Sequence, residues 1–163
     1  MRVLGVDPGT VSCGFGIVDE EDHRLFHVAC GAIKNSSKVD LHVRLKKIYD
    51  GLDDAIKAHR PHAMAIEEVF FAKNPHSALV LGHARGVAML AAVNNGIPVF
   101  EYTALVVKQS VVGYGRAEKA QVQEMMKMLL KLKEIPKPAD ASDALAIAIC
   151  HLMSVRMKEV RGR

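Results

Sequence analysis

Cysteine is scarce. Cys13, Cys30 and Cys150 are odd in number, far apart and without zinc spacing. That leaves neither a disulfide framework nor a zinc finger, and it fits free buried thiols in a reducing compartment. Eight histidines share no metal-site spacing, although His76, His83 and His151 could lie near a site. The longest apolar stretch, about residues 77–93, is interrupted by His83 and Arg85, so no membrane-spanning helix is expected. No signal peptide is evident, which points to the cytoplasm. Internal repeats and low-complexity tracts are also missing. The acids do not outnumber the bases: 22 Lys and Arg against 18 Asp and Glu leave +4 and a pI near 9.0, a mild hint of a polyanionic partner.

What is present is an ordinary globular composition, half apolar and a quarter charged, over 163 residues. That is enough for one domain with a substantial core, here expected over residues 1–155, with a basic tail at 156–163 that frays. The apolar patterns predict strands at residues 1–6, 14–19 and 25–33, forming an antiparallel meander. In residues 41–59, Leu41, Leu45, Ile48, Leu52 and Ile56 make one helical stripe, with Arg44, Lys46, Lys47, Asp50, Asp53, Asp54 and Lys57 on the outer face. A strand at 63–69, a helix at 75–94 stopped by Asn95-Gly96, and a strand at 98–102 follow. Thr103 is an N-cap candidate for a helix reaching about residue 112. Two more helices are expected at 117–133 and 139–155. The order is β-β-β-α-β-α-β-α-α-α.

Four acids interrupt apolar segments. Asp7 follows Val3-Leu-Gly-Val6, Glu67 lies in Ala63-Met-Ala-Ile-Glu-Glu-Val-Phe70, and Asp140 and Asp143 open the alanine-rich last helix. A carboxylate in an apolar run is costly without a partner. Three of them have a plain alternative: Asp7 as an Asx turn, Glu67 as an edge-strand residue, Asp140 as a helix cap, although the Asp140–Asp143 pair fits capping less well. Strand alternation sends Glu67 and Glu68 to opposite faces, so only one can point at Asp7. Asp140 and Asp143, three apart, share a helix face and repel unless a cation bridges them. Magnesium, which prefers hard oxygen ligands and assists phosphoryl chemistry, is a natural partner. Glycines at 5, 9, 14 and 16 would admit a phosphate or a second backbone.

Residues 108–137 hold Lys108, Arg116, Lys119, Lys127, Lys131, Lys133 and Lys137 against three Glu, an excess equal to that of the whole chain. This is a solvated face or a phosphate-binding one. Phe70 and Phe71 follow Glu67 closely and cannot both point into one core face; core packing accounts for one, here Phe71, and an exposed ring at the other could wedge against an unstacked base. The helix at 75–94 is apolar nearly all round, with Ala78, Gly82, Ala84, Gly86 and Ala88, and so is buried in the domain or against a partner.

Taken in order, Leu4-Gly-Val-Asp-Pro-Gly-Thr10, Ala65-Ile-Glu-Glu-Val-Phe70, Ala72-Lys-Asn74, Leu81-Gly-His-Ala-Arg-Gly-Val87, Pro98-Val-Phe-Glu-Tyr102, Val107-Lys-Gln109, Ala117-Glu-Lys119 and Ala139-Asp-Ala-Ser-Asp-Ala-Leu-Ala146 closely resemble the RuvC family of bacterial Holliday-junction resolvases over roughly residues 1–155. The resemblance implies a ribonuclease H-like α/β fold with a mixed five-stranded sheet, three strands antiparallel and then two parallel. It implies paired nicking of opposing strands of a four-way junction, in recombination and repair. Asp7, Glu67, Asp140 and Asp143 would be catalytic and would hold two Mg2+ ions, with Mn2+ able to substitute. Many relatives carry Gln where Glu68 stands, so Glu67 is taken as the ligand. Phe70, Lys108, Lys119 and Arg116 would contact DNA. The implied partners are junction DNA, a second copy across the 75–94 helix with Leu81 and Ala88 as interface positions, and the RuvA–RuvB branch-migration complex near the nucleoid. Two rivals are a non-catalytic nucleic-acid-binding module on the same scaffold and an actin-like ATPase fragment. The second is disfavoured by length and by the lack of a second Gly-rich phosphate motif.

Overall fold

The computed structural model describes residues 1–68 and 74–162. Val69, Phe70 and Phe71, and with them the wedge reading, lie outside the described residues. The chain forms β1 (Arg2–Asp7), β2 (Ser12–Glu21), β3 (Arg24–Lys34), α1 (Leu41–His59), β4 (Ala63–Glu68), α2 (Pro75–Asn94), β5 (Val99–Thr103), α3 (Ala104–Val112), α4 (Lys119–Leu129) and α5 (Ala139–Arg161), in the expected order. The sheet runs β3-β2-β1-β4-β5, antiparallel through β1, β2 and β3 and parallel through β1, β4 and β5. That is the mixed five-stranded ribonuclease H-like arrangement.

Alternation along the strands divides the interior in two. Leu4, Val6, Met64 and Ile66 pack with Ile48, Leu52 and Ile56 of α1 and Ala84, Ala88, Ala91 and Ala92 of α2. Val3 and Ala65 face the other way, against Leu145, Ala148, Ile149 and Leu152 of α5 and Val122 and Met126 of α4. Because successive side chains point to opposite faces, Asp7 and Glu67 fall on the α5 face and Glu68 on the α1–α2 face.

Glycines let α5 lie close on the sheet. A Cβ on Gly5 would collide with the Ala144 carbonyl and come within 2.7 Å of the Ala148 amide. On Gly14 it would strike the Asp140 carbonyl, and on Gly16 it would lie 2.7 Å from the Leu145 amide. At these three positions it is a second backbone, that of α5, that takes the space.

Several boundaries differ from expectation. Helix α4 starts later and ends earlier than 117–133. A reciprocal Glu118–Gln121 capping box sets its start, and Lys131 in the left-handed region follows its end. Helix α5 runs on to Arg161, so most of the expected tail is helical. Arg44, expected on the outer face of α1, is half-buried and donates to the Thr10 hydroxyl at 3.1 Å. Thr103 caps α3 as expected, its side chain accepting from the Val106 amide.

Helix α2 is long and apolar enough to cross a membrane by length and composition alone. Here one face fills the core beneath the sheet, and Arg85 pairs with Glu101 of β5. Ala88, offered above as an interface position, belongs to that core and is fully buried.

Candidate active site

The C-terminal ends of β1 and β4 lie side by side. Val6 pairs with Ile66, and one further step of that parallel register sets Asp7 beside Glu67. Helix α5 crosses the same face, and its first two turns bring Asp140 and Asp143 over the strand ends. Carboxylate oxygens of Asp7, Asp140 and Asp143 all lie within 4.8 Å of one another. Glu67 is not in that group of three. It lines the adjoining cleft with Asp143, Lys108 and Lys119.

The simpler roles do not hold for these acids. Asp7 accepts no hydrogen bond among the described residues. Asp140 sits in the first turn of α5 without capping it, and instead accepts from the Ser12 hydroxyl. Asp143 accepts from the Lys119 ammonium at 2.6 Å.

The clustering is electrostatically expensive. Burial first, and then Glu67, Asp143 and Asp140, push the Asp7 carboxyl up to about 7. Burial and Asp143 likewise raise Glu67, partly countered by Lys108 and Lys119. Lys119 is raised, chiefly by its hydrogen bond to Asp143. Lys119 is the first residue of α4, where a helix dipole disfavours a cation, so the carboxylates rather than the helix account for its place.

The donor set fits a hard divalent cation. Octahedral magnesium takes oxygens at about 2.0–2.1 Å, so its ligand atoms lie within roughly 4.2 Å of one another, close to the spread of the three aspartates.

Of the expected DNA-contacting residues, Lys108 and Lys119 line the cleft, while Arg116 is exposed on the turn before α4. None of the three candidate histidines lines it. His76 and His83 are exposed on α2. His151 is buried beneath β5, its Nδ1 2.8 Å from the Tyr102 hydroxyl and its ring 4.3 Å from that of Phe100. Ser12, tied to Asp140, was missed, since nothing in sequence separates it from an ordinary strand-end serine.

A family model described as crossover junction endodeoxyribonuclease RuvC matches residues 3–151. Curated proteins of that name from Caldanaerobacter subterraneus and Geobacter sulfurreducens are 52% and 56% identical, covering 99% and 98% of this chain and 98% and 97% of their own. Thermus thermophilus RuvC in complex with Holliday junction substrate is 34% identical and superimposes with a TM-score of 0.91, over 97% of this chain and 96% of that one. By sequence over nearly its whole length and by fold, the chain belongs to the RuvC family of crossover junction endodeoxyribonucleases.

Proposed function

We propose that the protein is an endonuclease that resolves four-way DNA junctions by paired nicks, hydrolysing one phosphodiester in each of two opposing strands. The observation that carries this reading is the convergence of Asp7, Glu67, Asp140 and Asp143 from β1, β4 and α5 beside two lysines, in a chain of this family. Asp7, Asp140 and Asp143, with Glu67 beside Asp7 in the adjoining cleft, would hold magnesium, two ions per site with manganese able to substitute, which would activate water and stabilise the departing 3′-oxygen. Asp140 is oriented by Ser12 and Asp143 by Lys119, so both carboxylates are held before substrate arrives. Lys108 and Lys119 would neutralise and position the strand at the cleft, with Arg116 further out. Phe70 would stack on an unpaired base.

A non-catalytic module would have no use for four mutually repelling acids. The phosphate-loop alternative loses support because α5 occupies the space beside Gly5, Gly14 and Gly16.

A junction has two equivalent strands to cut, which a two-fold dimer matches. Helix α2 supports one: Leu79, Leu90 and Val93 are exposed on the side away from the core, and the positions beside Gly82 and Gly86 are open. Cooperation with RuvA–RuvB rests on the family resemblance alone.

The test is nicking of a synthetic mobile junction against plain duplex, with and without magnesium. Junction-selective, magnesium-dependent cutting is expected. Asp7→Asn, Glu67→Gln, Asp140→Asn and Asp143→Asn should each bind the junction and fail to cut it, while Glu68→Gln stays active. Parent-rate cutting by any two of the four variants would refute the assignment.

A further inference from the structure

We propose that Lys34, Lys38, Arg44 and Lys47 form a second cationic wall of the cleft, gripping the phosphodiester backbone of the substrate on the side opposite Lys108 and Lys119. The proposal rests on the reading of the site as a junction nuclease. Strands β1 and β3 are both antiparallel to β2, so Asp7 and Lys34 end at the same edge of the sheet. Ser12, whose hydroxyl holds Asp140, is the register partner of Lys34. At about 4.8 Å per strand, the end of β3 lies roughly 10 Å from that of β1. That distance corresponds to about three nucleotides at 3.4 Å per step along one strand.

The wall is built onto the loop that follows Asp7. Asn35 donates from its side chain to the Thr10 carbonyl at 3.1 Å and to the Arg44 carbonyl at 3.3 Å, and from its backbone to Val11 at 2.8 Å. Arg44 reaches the Thr10 hydroxyl, and Lys47 donates to the Lys34 carbonyl at 2.7 Å. One hydrogen bond leaves the Lys47 ammonium two further donors.

Among the described residues the charges have no partner of opposite sign. Residues 34–47 hold five cations and a single acid, Asp40, an excess as large as that of the whole chain. None of Lys34, Lys38, Arg44 and Lys47 forms an ion pair among the described residues. On the same helix Lys46 and Lys57 are paired with Asp50 and Asp53, at 2.5 and 2.6 Å. The first two turns of α1 carry Arg44, Lys46 and Lys47 and no acid, the reverse of what the helix dipole favours. Lys34, Lys38 and Lys47 are exposed. Unpaired and exposed, on a backbone that Asn35 and Lys47 anchor to the loop after Asp7, they suit a phosphate backbone that must approach those carboxylates despite its own charge.

Salt dependence tests this directly. Affinity for an immobile four-way junction is measured against salt concentration without divalent cation, for the parent and for the triple variant Lys34→Ala, Lys38→Ala, Lys47→Ala. Each lost phosphate contact lowers the slope of log K against log salt by about 0.9, so the triple variant should lose about 2–3. The corresponding triple Lys→Arg variant should keep the parent slope. Lys57→Ala, which removes an equal charge from an ion pair on the same helix, should leave it unchanged. A parent-like slope in the alanine triple overturns the proposal, and so does a fall of the same size in Lys57→Ala. If the parent shows no preference for the junction over duplex, the junction reading fails instead, and the same slope comparison on plain duplex still decides whether the wall binds phosphates.

Discussion

Asp7 is the residue where stability and the proposed chemistry oppose each other. Its carboxyl, pushed up to about 7 by burial and by Glu67, Asp143 and Asp140, would titrate near 3.9 in the unfolded chain. Between those values the folded protein binds more protons than the unfolded one, so stability falls as pH rises through that window. The cost at neutral pH is on the order of a few kcal/mol. In protein stripped of divalent cations by chelation, the melting temperature of the parent relative to Asp7→Asn should therefore be higher near pH 5 than near pH 8, a difference in which the opposing contributions of His27 and His151, both lowered by burial, cancel. Asp7→Asn should melt above the parent near pH 8, by about 2–4 °C per kcal/mol relieved, with the gain fading towards pH 4. Added magnesium should raise the parent far more than the variant. Thermal melts across pH, with chelator and with magnesium, check both signs. An Asp7→Asn protein no more stable than the parent near pH 8 would mean that the carboxylate is not electrostatically strained.

Among the elements, α5 places half of the site through its seating on β1 and β2. The seat exists because Gly5, Gly14 and Gly16 lack a Cβ where the α5 backbone passes. Gly5→Ala offers no polar group to the site and removes none. It should nonetheless force α5 away from the sheet at Ala144 and Ala148, carrying Asp143 with it. The expected cost is about 1–3 kcal/mol, typical of an overpacked core, together with a large loss of cleavage. Urea unfolding and single-turnover cleavage measure the two effects. Parent-like cleavage in Gly5→Ala would show that the carboxylates tolerate a displaced helix.

Taken as a whole, the molecule has a core face and an open face on α2, and this separates folding from association. Leu90 is 51% exposed, whereas Ala88 is fully buried. Leu90→Glu should shift a dimer towards monomer while leaving the monomer's melting nearly unchanged. Ala88→Glu should instead destabilise the fold, since it places an unpaired charge beneath the sheet. Sedimentation velocity with parallel melts distinguishes the outcomes. A parent protein that is monomeric at micromolar concentration would remove the dimer from the proposed function.

The sequence by itself determined the order of the ten elements, because the periodicities of 2 and 3.6 and the Asn95-Gly96 and Thr103 signals are local. It also made the four acids legible, since ionised groups in apolar segments stand out wherever the chain folds. It overran α4 and cut α5 short, because helix ends depend on caps and on what the last turns rest against. Only the tertiary structure decided that Glu67 rather than Glu68 shares a face with Asp7. Strand alternation separates those two residues, but which face meets α5 depends on the side where the helix packs. It also decided that three glycines serve the α5 backbone, that Ala88 points inward, and that Arg44 turns to Thr10. Each depends on elements distant in the chain being brought together, and no local pattern records which face will meet which partner.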